Sequence, residues 1–177
     1  MTQNDLANHH MSYPAVPEYV ISQKRRLTMP EMTYFYVTNR PTPFAELDRD
    51  LDPLIESLHA AIAQAHLAEV GPDLLRYYPA PEGRSRKPEL FLMEIGVSVK
   101  PGTLAAGEAK VKVLPPFSCA ALLLWGGMTH MAEAYGTLKR AMQEAGLESV
   151  GESRERYYHI EGGDSPHNVI GVYLQVR

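Results

Sequence analysis

The feature that most restricts how this chain can fold is an internal repeat: displaced by about 80 positions, its two halves superpose without a gap. Leu58 then meets Leu138, Ala61 meets Ala141, Ala65 meets Ala145 and Gly71 meets Gly151, and Arg76-Tyr77-Tyr78 falls on Arg156-Tyr157-Tyr158. Further along the displacement drops to about 75, bringing Ile95-Gly96-Val97 onto Ile170-Gly171-Val172. Self-similarity of this kind means two copies of one supersecondary unit, each needing the other to complete its burial.

Residue patterning gives the content of the unit. Tyr19 to Leu27 and Met32 to Thr38 favour strands, with Pro30-Glu31 between them marking a hairpin or similar turn. Leu47, Leu51, Leu54, Ile55, Leu58, Ile62 and Ala65 recur at helical spacing. Asp52 suits an N-cap and Pro53 a first helical position, so the main helix is expected to start there, after a lead-in over Pro43 to Leu51. Strands are predicted at Asp73 to Pro79 and Glu89 to Val99, joined by a solvated loop. The second half repeats the plan. Glu108 to Leu114 alternates polar and apolar residues, as a strand with one wet face does, and Phe117 to Trp125 reads as a more buried strand. Met131, Tyr135, Leu138, Met142 and Ala145 form a helical stripe that Gly146 ends, and Ser153 to Ile160 and Asn168 to Val176 close the chain. The expectation is an α+β fold of duplicated β-β-α-β-β units, with two antiparallel sheets, each carrying one main helix, and a ligand cleft between the units. Residues 1–15 read as a flexible N-terminal arm and 16–177 as a single domain, with repeat one over 16–102 and repeat two over 103–177.

Composition narrows the function classes. At 177 residues and net charge −4, the chain can bury a core without a staple and carries no large basic surface for nucleic acid. Cys119 stands alone, so no intramolecular disulfide forms and a reducing, cytoplasmic setting is expected. The first ten residues lack the cationic end and apolar stretch of a signal peptide, and the longest apolar run, Cys119 to Trp125, is too short to span a bilayer. His59 and His66 lie seven apart, a spacing no zinc motif uses without further ligands; neither a metal nor a cofactor is expected. Asp164, Ser165 and His167 crowd one loop without a nucleophile elbow.

Duplication also supplies an internal control. Repeat one reads Leu75-Arg-Tyr-Tyr where repeat two reads Glu155-Arg-Tyr-Tyr, so a carboxylate replaces an apolar side chain. Strand alternation places Glu155, Tyr157 and His159 on one face and Arg154, Arg156 and Tyr158 on the other. If Leu75 marks a buried direction, Glu155 points into shelter, where its pKa rises and it can hold a cation or move a proton. The alternative is a surface glutamate paired with Lys110, Lys112 or an arginine. Tyr34, Tyr36, Tyr77, Phe91, Trp125, Tyr157 and Tyr173 fall in predicted strands, and ring faces attract cations by about 0.5–2 kcal/mol. Half-buried packing is the plainer role for each ring; with Glu155 they make a candidate ligand-binding set.

This order of elements, with Leu124-Trp125-Gly126-Gly127 before the second helix and the Arg154-Glu155-Arg156-Tyr157-Tyr158 strand, resembles the GyrI-like superfamily, the effector-binding domain of multidrug-responsive transcription activators. The resemblance covers roughly residues 17 to 177. It implies two units about a pseudo-twofold axis and a cleft holding organic, often cationic and aromatic, ligands, with a penultimate-strand carboxylate that matches Glu155. Such domains are often fused to a DNA-binding helix-turn-helix, which the segment before Val16 is too short to hold, so direct nucleic-acid binding is not expected. The resemblance also implies two alternatives. One is a hydrolase of cyclopropanoid genotoxins, with Glu155 as general base and Tyr157 or Trp125 orienting the substrate. The other is a protein-interaction module that modulates an enzyme such as gyrase. Haem-binding SOUL proteins share the architecture, but nothing in the residues calls for haem.

Overall fold

Short strand-forming runs and two amphipathic helices alternate in the computed structural model, which describes residues 19–68, 70–81 and 89–177. The expected arm over 1–15 and the basic stretch Arg84 to Lys87 lie outside the described residues. In chain order the elements are β1 (Tyr19–Ile21), β2 (Arg25–Met29), β3 (Met32–Thr38), β4 (Thr42–Pro43), α1 (Asp48–Gln64), β5 (Asp73–Pro79) and β6 (Leu90–Val99). There follow β7 (Lys110–Leu114), β8 (Phe117–Gly126), α2 (Met131–Glu144), β9 (Ser149–His159) and β10 (Val169–Val176). The fold is α+β and its strand pairs are antiparallel.

Two expectations are corrected by the strand pairing. The strands form one hydrogen-bonded sheet, not two, in the order β1-β8-β10-β9-β5-β6-β3-β7, with β2 also on β8 and β4 on β6. β5 and β9 make the junction, in register from Asp73 opposite Tyr157 to Tyr77 opposite Ser153. Left unpaired in the middle of the molecule, those two strands would bury backbone groups without partners, so joining them satisfies both. Nor do β2 and β3 form a hairpin: β2 pairs with β8, while β3 lies between β6 and β7. The N-terminal half of the chain therefore sends β1 and β2 to β8, and the C-terminal half sends β7 to β3. Pro30 and Pro115 favour extended backbone in the residues before them, which suits a straight passage better than a tight reversal.

Both helices cover one face. Leu58 and Ala61 of α1 pack on Phe35, Val37, Leu75 and Ile95, and Leu138 and Met142 of α2 pack on Ala120, Leu122, Leu124 and Val172. The twin residues Leu58 and Leu138 are each fully buried, contributing about 2–3 kcal/mol apiece. Helix α1 begins at Asp48, a turn before the expected start, and contains Pro53. Asn39 Nδ2 and Thr42 Oγ1 donate to Asp50 Oδ2 at 3.0 and 3.1 Å, and Leu47 is buried, so the first turn is fixed before the proline is reached.

Among the described residues the opposite face carries no helix. Behind the β5–β9 junction lies an ion network: Arg76 bonds Glu94 and donates to Glu152 at 2.8 Å, and Arg154 Nε donates to Glu152 at 2.7 Å. Tyr78 and Lys112 donate to Glu94 at 2.6 and 2.5 Å. Burial alone would push Glu152 up, but bonds and charge from Arg76 and Arg154 outweigh it and hold the carboxyl below its usual range. The face of β7 expected to be wet thus delivers Lys112 into a network. The paired Ile-Gly-Val motifs have a steric cause here: a Cβ on Gly96 would lie 2.8 Å from the Tyr34 ring, and one on Gly171 would lie 2.7 Å from the Tyr173 ring.

Candidate ligand-binding site

The register of the junction sets the two twin positions side by side: Leu75 on β5 is directly opposite Glu155 on β9. Cross-strand partners share a face, and Leu75 belongs to the core beneath α1. Glu155 is accordingly buried, 6% exposed, on the helix-covered side. Among the described residues it has no salt bridge; instead Tyr135 of α2 donates to Oε1 at 2.7 Å and Tyr157 donates to Oε2 at 2.5 Å. The surface ion pair is therefore not what forms, and Lys112 is engaged by Glu94.

Above this carboxylate, between the start of α1 and one side of α2 from Ala132 to Lys139, lies a cleft of about 690 Å³ lined by Phe44, Asp48, Tyr77, Tyr135, Lys139 and Glu155 among others. That volume falls within the usual range for small-molecule sites. Burial pushes the Glu155 carboxyl up; the hydrogen bonds from Tyr157 and Tyr135 pull it back in part, and the charge of Asp48 adds a small upward push. Burial and the adjacent carboxylate drive Tyr135, Tyr157 and Tyr77 upward too, so their hydroxyls remain neutral donors. A sheltered carboxylate with neutral partners is suited to accept a cation or a proton.

The structure brings Glu155, Tyr157 and Tyr77 together and separates the other rings from them. Tyr34 and Tyr36 stack on the helix-free face with centroids 5.2 Å apart. There Tyr34 donates to the Leu74 carbonyl at 2.6 Å, and the Lys112 ammonium sits 4.2 Å from the Tyr36 ring. Trp125 and Tyr173 line a different hollow on that face. Phe91 packs against the core under α1, edge-on to Phe44 with centroids 5.4 Å apart, and so backs the cleft wall. In the loop after β9, Ser165 donates to Glu161 at 2.9 Å and His167 Nδ1 lies 3.0 Å from the same carboxylate, with all three exposed or half-exposed. Among the described residues no group of three metal-ligating side chains converges.

Tyr135 was missed as a site residue because its ring fits a helical core stripe. The repeat held the signal: 80 positions earlier stands Ile55, so a hydroxyl-bearing ring replaces an aliphatic, the same kind of departure that marked Glu155.

No protein-family model matches the chain, and no curated protein matches its sequence significantly. Solved structures do match. The EcmrR C-terminal domain superposes with a TM-score of 0.63 at 15% identity, over 88% of this chain and 97% of that one. SAV2435, solved bound to tetraphenylphosphonium, gives a TM-score of 0.62 at 10% identity over 88% of this chain and 94% of that one. A hydrolase from Listeria innocua gives 0.57 at 13% identity, over 88% and 92%. Identities this low speak to architecture alone: the chain has the fold of the EcmrR C-terminal domain and of SAV2435.

Proposed function

We propose that the chain binds a small hydrophobic or cationic aromatic molecule in the cleft centred on Glu155. The observation that carries this reading is a buried carboxylate, held by two tyrosine hydroxyls and by no cation among the described residues, at the floor of the cleft. A cationic guest would neutralise it while Tyr77 and Tyr135, which line the cleft, supply ring faces and Tyr157 holds the carboxylate from behind. The tetraphenylphosphonium held by SAV2435 is a guest of that chemistry in the same fold. The strand order reads alike from both ends when the repeats are exchanged, which supports duplicated units about a pseudo-twofold axis through the Leu75–Glu155 pair, within a domain spanning 16–177. No helix among the described residues is long and apolar enough to cross a membrane.

The test is titration with tetraphenylphosphonium or a cationic aromatic dye. Saturable binding is expected, weakened tenfold or more by Glu155→Gln, equivalent to about 1.4 kcal/mol; equal affinity in the variant would remove Glu155 from the role. A second reading is hydrolysis of a cyclopropanoid or related reactive molecule, favoured by the raised carboxyl pKa and the Tyr157 contact, which suit a general base acting on water. Incubation with catalytic amounts of protein should then add one water to the substrate by mass, and Glu155→Gln should abolish it. A partner that copurifies regardless of Glu155 would point instead to protein interaction.

A further inference from the structure

Trp125 and Tyr173, which the sequence singled out and the cleft does not use, line a hollow of about 420 Å³ on the helix-free face, with Arg25, Leu27, Leu123 and Tyr158. Its chemistry is the reverse of the cleft's. Arg25 is the one charged side chain among the described residues that line it. Neither Arg25 nor the nearby Arg156 has a carboxylate partner among the described residues; Arg156 Nη2 reaches the Met32 sulfur at 3.6 Å and its Nε is buried without a partner. The Tyr158 and Tyr173 hydroxyls share one hydrogen bond at 2.7 Å, and since only one donates, the other keeps a hydrogen to give. Leucine side chains and the Trp125 ring, 37% exposed, supply apolar walls.

The hollow is built rather than frayed. Ser22, at the turn between β1 and β2, donates its N–H to the Leu123 carbonyl and accepts the Leu123 N–H on Oγ, each at 2.8 Å, which pins one wall to β8. Gly171, opposite Leu123, leaves the Tyr173 ring room to lie along the sheet and reach Tyr158. We propose that this hollow is a second binding site, for a planar aromatic carboxylate whose ring lies against Trp125 and Leu123 and whose carboxylate meets Arg25. A guanidinium matches a carboxylate in two parallel hydrogen bonds, and stacking on an indole adds ring recognition without demanding one substituent pattern.

Trp125 is the sole tryptophan of the chain, so its emission reports on this hollow directly. Titration of the full chain with benzoate, excited where benzoate does not absorb, is expected to shift that emission saturably. Arg25→Gln, at an exposed position that should leave folding intact, is expected to weaken binding about fivefold, as is replacing benzoate by neutral benzamide. Glu155→Gln and saturating tetraphenylphosphonium are expected to leave benzoate binding unchanged, which separates this site from the cleft. An emission change that stays linear to about 10 mM, equal affinity in Arg25→Gln, or equal affinity for benzamide would overturn the proposal.

Discussion

Glu155→Gln should stabilise the folded chain at neutral and alkaline pH, the reverse of what removing a hydrogen-bonded buried group normally does. Hydrogen bonds to a charged acceptor contribute about 1.5–3 kcal/mol each, and Glu155 accepts two. Burying an ion without a countercharge costs several kcal/mol, and the upward displacement of its pKa says that this cost exceeds what the tyrosines return. A native state that raises a carboxyl pKa binds more protons than the unfolded chain. Stability from Glu155 is therefore full below the ordinary value near 4.3 and is lost as pH rises through the raised one, at about 1.4 kcal/mol per unit of displacement. An amide keeps an oxygen for the Tyr135 hydroxyl and offers the Tyr157 oxygen a donor, without the ionic cost. Urea unfolding at pH 4 and pH 8 should show the two proteins alike at pH 4 and the variant ahead by about 1–3 kcal/mol at pH 8, or roughly 2–4 °C in melting temperature per kcal/mol for a chain of this length. A variant that is less stable at pH 8, or a difference that does not change with pH, would refute the reasoning.

The same displacement makes affinity for an aromatic cation rise with pH through the raised carboxyl value, a midpoint that dye titrations from pH 4 to 8 should place above that of an ordinary glutamate. Tyr135→Phe removes one of the two donors, so it should move that midpoint higher still and cost about 1–3 kcal/mol by urea unfolding at pH 8. On the other face, Glu94→Gln strips the buried acceptor from Arg76 and Lys112, and is expected to destabilise by about 3–5 kcal/mol in the same assay. Gly96→Ala would set a Cβ 2.2 Å from the Phe35 carbonyl and force β3 off β6, so it should leave little folded protein by circular dichroism, while Gly162→Ala, with open space around it, should be near neutral.

What the sequence revealed followed from what repetition preserves. Leu58 and Leu138 do the same job under their helices, so comparison of the copies found both helices and the strands flanking them. It also isolated Glu155, because the position across the junction kept Leu75. Neighbour relations were hidden: period-two alternation reports which face a side chain occupies, not which strand lies beside it. Nothing in Arg25–Met29 therefore distinguished pairing with β3 from pairing with β8. The same limit grouped too many rings, since the parity of Trp125 cannot be compared with that of Tyr157 until the register of β8, β10 and β9 is known. The buried ion network was hidden for the same reason: Arg76 on β5 meets Glu94 on β6 and Glu152 on β9, positions that no local pattern links to it.

The exchange of β2 and β7 ties the two halves of the chain like crossed arms. Thr28 and Ser118, whose hydroxyls touch at 3.2 Å, are 90 residues apart, so this contact forms only after most of the polypeptide is available and folding should be slow for the chain's size. A half-length fragment ending before β7 would leave β3 with a bare flank and β2 with nowhere to dock. Two such fragments could clasp each other through those free edges, which makes a symmetric homodimer the natural product of cutting this gene in half.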